Sequence, residues 1–105
     1  MAYNNTETSE TEVRCLRLVD AFKAIADNNR IKIINMLSER EICAIELLDQ
    51  LDISQPTLSH HMKVLTLASI VKTRKSGTQV YYSINTKKVV EMSDLLSEFA
   101  SGAGN

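Results

Sequence analysis

Two short apolar stripes, separated by the tetrapeptide Leu51–Ser54, constrain this chain more than any other feature. Before the break, Ala44, Leu47, Leu48 and Leu51 recur at helical spacing; after it, Leu58, Met62 and Leu65 do the same. Ser54 is a good N-cap for the second segment. Pro56 falls in its first turn, where a missing N–H costs little. Helices this short bury their stripes by locking onto one another, so the spacing predicts a helix-turn-helix with a turn of about four residues.

The flanks read as further helix and one hairpin. From about Glu12, the residues Cys15, Leu18, Val19, Phe22, Ile25 and Ala26 form a helical stripe. Asp27, Asn28 and Asn29 interrupt it as breakers and caps. A second helix places Ile31, Ile34 and Leu37 on one side, with Ile33 and Met36 nearby. Beyond the helix-turn-helix, Val71 and Thr73 alternate with Lys72 and Arg74, and Val80, Tyr82 and Ile84 alternate with Tyr81 and Ser83. With Ser76–Gly77 between the two runs, this predicts a β-hairpin with a basic tip. Thr86 to Ala100 is helical again. Val89, Met92, Leu96 and Phe99 line one face, and Leu95 widens it.

The resulting expectation is a mainly α domain with one small β-hairpin, a winged helix-turn-helix. It spans residues 11–100, with disordered tails at 1–10 and 101–105. The 105 residues suit one domain, and scarce glycine, proline and aromatics disfavour a sandwich or barrel. Two cysteines are too few for a disulfide scaffold. The polar first residues hold no apolar signal core, and no run is long enough to span a bilayer. A soluble cytoplasmic protein with no membrane partner is expected.

Charge is segregated along the chain. Residues 1–53 carry ten acidic and six basic side chains, whereas residues 54–90 carry no acid and six bases: Lys63, Lys72, Arg74, Lys75, Lys87 and Lys88. A basic block without carboxylates is the electrostatic footprint of a polyanion partner, here double-stranded DNA. A winged-helix module for protein–protein contact, without effector sensing, is the alternative; a neutral partner needs no such field.

His60 and His61 are adjacent, so on a helix they point about 100° apart and cannot chelate one ion together. No Ser/Cys–His–acid set and no phosphate-cradling glycine loop is present, so an enzyme is not indicated. With Leu58, Met62 and Leu65 facing in, His60 lies nearly opposite the core. His61 lies at the edge of the buried stripe, placed to bridge toward neighbouring backbone. Gln55, Thr57, Ser59 and His60 are then the candidate base-reading side chains, and Lys63, Lys72, Arg74 and Lys75 the candidate phosphate contacts.

The stretches EICAIELLDQLDISQPTLSHHMKVL and VKTRKSGTQVYYSIN resemble the ArsR/SmtB family of winged-helix transcriptional repressors, most of all its arsenic-responsive branch. The resemblance implies a homodimer, formed through the first and last helices, that binds an inverted-repeat operator. It also implies release by a soft metal ion or metalloid such as As(III) or Sb(III), or by thiol oxidation. The branch carries a Glu-Leu-Cys-Val-Cys-Asp signature; this chain reads Glu41-Ile42-Cys43-Ala44-Ile45-Glu46, with Leu48 one turn on. Cys43 remains, and Ile45 and Leu48 replace the other ligands. Cys15 is the second thiol, and with Cys43 it forms the candidate sensor pair. The zinc-sensor site is broken too, because the last helix has Glu91, Asp94 and Glu98 but no histidine.

Overall fold

The computed structural model describes residues 9–103. Helix α1 (Glu10–Ile25) starts where Ser9 Oγ accepts the Glu12 N–H at 3.1 Å. Helix α2 (Asn28–Leu37) is capped by the Asp27 carboxylate, which accepts from the N–H groups of Asn29 and Arg30 at 2.9 and 3.0 Å. These bonds hold the Asp27 carboxyl below its ordinary range, the Arg30 N–H contributing most. Strand β1 (Ile42–Cys43) leads into α3 (Ala44–Gln50) and α4 (Gln55–Leu67), the two halves of the helix-turn-helix. Strands β2 (Val71–Ser76) and β3 (Gln79–Ile84) form the wing, and α5 (Thr86–Ala103) closes the chain.

Most expected elements are present, with informative differences at their edges. The tail expected over 1–10 lies largely outside the described residues, and Glu10 already belongs to α1. At the other end α5 continues through Ala103 rather than ending at Ala100. Ser76 belongs to β2, so the wing turns on Gly77 and Thr78, with Gly77 at φ +62°, where a side chain would be strained. Strand β1 was not foreseen. It adds to β3 in the order β1-β3-β2, pairing Ile42 with Tyr82 and Cys43 with Tyr81. Two residues are too few to display a strand period.

The core is built from one stripe per helix. Leu18, Ala21 and Ala24 of α1, Ile33 and Leu37 of α2, Leu47 of α3, and Met92 and Leu95 of α5 surround Leu58, Met62 and Leu65 of α4. On α2 Leu37 is buried and Ile34 half-buried as the spacing predicts, but Ile31 is exposed and Ile33 is fully buried in its place. On α1, Ala21 and Ala24 are buried while Val19 and Ala26 are exposed, because small residues let the helices approach closely. In the wing Val71 alone of β2 is buried. Thr73 faces solvent beside its basic neighbours, since no second layer covers that strand.

Helix α4 ends in a Schellman motif. Ser69 N–H donates to Thr66 O and Ile70 N–H to Leu65 O, both at 3.0 Å, while Leu65 and Ile70 are fully buried. The residue in the left-handed position is Ser69, at φ +62°, where glycine is usual. Asn85 locks this corner. Its N–H donates to Ile70 O and its Nδ2 to Ser69 O, each at 2.8 Å. Ser69→Gly removes the left-handed penalty but adds chain entropy to the unfolded state, so a net gain of roughly 0.5–1 kcal/mol is expected. Urea unfolding that shows Ser69→Gly less stable than wild type would mean that the motif depends on the serine side chain.

Candidate nucleic-acid interface

Helix α4 has two faces of different character. Leu58, His61, Met62 and Leu65 are buried, and Gln55, Thr57, Ser59, His60 and Lys63 are exposed on the other side. Ser54 Oγ accepts the Thr57 N–H at 3.3 Å and lies 2.9 Å from Thr57 Oγ1, so the cap also orients the Thr57 hydroxyl. All five side chains expected to meet DNA from this helix therefore share one solvent-facing surface. A shallow groove lined by Ser59, Lys63, Thr66, Thr73 and Tyr82 separates it from the wing.

His61 is more deeply placed than a stripe edge, and its partner is a side chain rather than backbone. Its Nδ1 lies 3.0 Å from Arg30 Nη1 and 3.9 Å from Asp27 Oδ2. A guanidinium can only donate, so Nδ1 is the acceptor and the ring proton sits on Nε2. Arg30 also donates from Nε to Ala24 O at 2.6 Å, which ties the end of α1, the start of α2 and the middle of α4 together. Only the caps were visible in the sequence; nothing there paired Arg30 with a histidine 31 positions away.

On the wing, Lys72, Arg74 and Lys75 are all exposed. Lys63, Lys72 and Lys75 form no ion pair with any described residue. Arg74 differs: its Nε and Nη2 donate to the two Glu41 carboxylate oxygens at 3.1 and 2.6 Å, and its guanidinium lies 4.6 Å from the centre of the Tyr81 ring. Arg74 holds the Glu41 carboxyl below the usual carboxylate range. Sequence reading assigned Arg74 to phosphate and missed Glu41, because the pair spans 33 positions and β1, which places Glu41 beside the wing, was itself missed. Lys87 and Lys88 open α5, and Lys88 lies 3.9 Å from Glu91.

The two thiols lie on different elements. Cys15 packs half-buried on α1 and Cys43 is the N-cap of α3 without a side-chain capping bond; both are free thiols. Ile45 is exposed and Leu48 half-buried where the resemblance would place further ligands. Among the described residues no group of three His, Cys, Asp or Glu side chains is placed to hold a metal ion. As(III) and Sb(III) favour two or three thiolates, and Cys15 and Cys43 are the two thiols of this chain.

Helix-turn-helix, three-stranded wing and flanking helices define a winged helix-turn-helix protein. Comparison with known proteins specifies the family: residues 27–73 match the bacterial regulatory proteins of the arsR family. An HTH-type transcriptional regulator of Methanocaldococcus jannaschii is 39% identical over 83 residues, covering 78% of this chain and 93% of that protein. The arsenical resistance operon repressor of Staphylococcus aureus is 46% identical over 63 residues, 60% of this chain; the chain spans 61% of that repressor's length. A homodimeric winged helix-turn-helix DNA-binding domain from Mycobacterium bovis superposes with a TM-score of 0.71 at 22% identity, covering 96% of this chain and 91% of that one. The chain belongs to the arsR family of bacterial regulatory proteins. No described helix is long and apolar enough to cross a membrane.

The His61 assignment has a direct check. Long-range 1H–15N spectra at neutral pH are expected to show His61 Nδ1 as an unprotonated nitrogen and Nε2 as the protonated one. The opposite tautomer, or a doubly protonated ring, would be incompatible with an Arg30 donor at Nδ1.

Proposed function

We propose that the protein is a sequence-specific transcriptional repressor that binds an inverted-repeat DNA operator as a homodimer. The observation that carries this reading is the free face of α4, where Gln55, Thr57, Ser59, His60 and Lys63 project together beside a wing of exposed bases. Such a helix fits the major groove, and its inner stripe fixes which side chains enter. Gln55 offers a bidentate match to adenine, and Thr57, Ser59 and His60 supply single donors or acceptors to other base edges. Lys63, Lys72, Lys75 and Arg74 hold phosphates and set register rather than sequence. The repressor named among the relatives supports the regulatory direction.

Dimerisation is proposed through α1 and α5. Within one chain Val13, Leu16 and Val19 of α1 and Val90, Leu96 and Phe99 of α5 remain exposed, an apolar surface larger than a lone helix face requires. It adjoins an apolar groove between the end of α1, α2 and α5, lined by Phe22, Ile31, Ile34, Val89 and Leu96. A two-fold pairing of these faces would bury them and set the recognition helices for half-sites about one helical turn apart.

Two measurements test the proposal. Fluorescence anisotropy on DNA from upstream of the protein's own gene is expected to show Gln55→Ala losing about 1–3 kcal/mol on the operator and little on random DNA. Replacing Lys72 and Lys75 with alanine is expected to weaken both complexes and reduce the salt slope by up to about 2 units. Equal losses for Gln55→Ala on both DNAs would remove Gln55 from base reading. Sedimentation is expected to convert a dimer to a monomer in a Leu96→Glu, Phe99→Glu double variant; an unchanged dimer would place the interface elsewhere.

A further inference from the structure

We propose that Glu41 is a resident phosphate surrogate, a carboxylate that occupies the wing arginine until DNA displaces it. This inference rests on the DNA-binding reading above. Three features of the pair carry it. First, the contact is bidentate, with Nε and Nη2 of Arg74 each donating to one carboxylate oxygen, the same fork that an arginine offers two phosphate oxygens. Second, the guanidinium is already positioned by stacking on Tyr81, its cross-strand neighbour in the β2–β3 register, so it does not need Glu41 to hold it in place. Third, both side chains are solvent-exposed, at 54% and 36%, so the pair adds little to fold stability and exchanges at low cost. Lys72 and Lys75, on the same strand, have no such partner among the described residues.

The arrangement alters what the wing does to affinity. A lysine that meets a phosphate releases a condensed cation from the DNA. When Arg74 leaves Glu41 for a phosphate, the freed carboxylate takes up a cation or repels the backbone, offsetting that release. Arg74 therefore adds geometry without adding its full share of sequence-independent attraction. Glu41 is in this sense a residue that sets overall affinity and salt dependence, not the ratio between operator and random sequence. It restrains the electrostatic contribution, which is common to all DNA, and leaves the base contacts of α4 to separate operator from random sequence.

The test compares wild type, Glu41→Gln, Arg74→Ala and the double variant by anisotropy over a range of salt, on operator and random duplexes. Glu41→Gln is expected to tighten binding about two- to five-fold on both DNAs and to steepen the salt slope by about 0.9. In the Arg74→Ala background the same substitution is expected to do neither. Wild type that binds with a salt-dependent affinity while Glu41→Gln binds equally or more weakly would overturn the surrogate role and leave the DNA-binding reading intact. Gains from Glu41→Gln that persist without Arg74 would reduce Glu41 to a general repulsive charge. A wild type with no salt-dependent binding at all would overturn both.

Discussion

Everything that faces outward from α4 depends on what that helix buries. Leu58, Met62 and Leu65 anchor it to the stripes of α1 and α2, and full burial of each such side chain is worth about 1.5–3 kcal/mol. Rotating the helix by one residue would carry this apolar set into water and draw Ser59 or Lys63 into the core. The identity of the exposed face is therefore fixed by hydrophobic packing and not by any feature of the exposed residues themselves. The Arg30–His61 bond adds a polar constraint to the same helix, where apolar packing alone would tolerate small slides.

The fold was largely legible because its elements announce themselves locally. The serine cap and Pro56, the four-residue break and the periodic leucines placed α3 and α4, and Leu58, Met62 and Leu65 are the inward residues in the structure as in the pattern. What escaped is non-local. Strand β1 exists only because β3 is there to pair with it, and two residues carry no periodicity of their own. On α2 only the choice of Ile33 over Ile31 was not legible, because that helix carries isoleucine on more than one side and spacing alone does not choose between them. Of the candidate interface, each proposed side chain was correctly read as solvent-facing, since charged and small polar residues seldom point inward. Its ion pairs were not legible: Glu41 and Arg74 belong to separate elements, and a charge count along the sequence treated the basic block as free of carboxylates.

That last point changes the electrostatic picture. The acid-free stretch is real in sequence but not in space, because Glu41 enters the wing from outside it. The same holds at α1 and α5, where Arg14 and Glu98 pair across the two helices proposed to meet a second copy. The surface potential of this chain is thus set by tertiary neighbours as much as by composition, and Lys63, Lys72 and Lys75, without ion-pair partners among the described residues, carry its steering field.

The corner at Ser69 and Asn85 has a mechanical consequence. Its two hydrogen bonds join the end of α4 to the start of α5 directly, and the hairpin leaves and returns at that point. The tip of the wing thus lies outside the path that connects the recognition helix to the proposed dimer helix, while its base is held by β1. Lengthening or reshaping the hairpin beyond Gly77 costs little closure entropy and leaves the spacing of α4 and α5 alone. Reach along the DNA backbone and the distance between half-sites can therefore diverge separately as the sequence drifts.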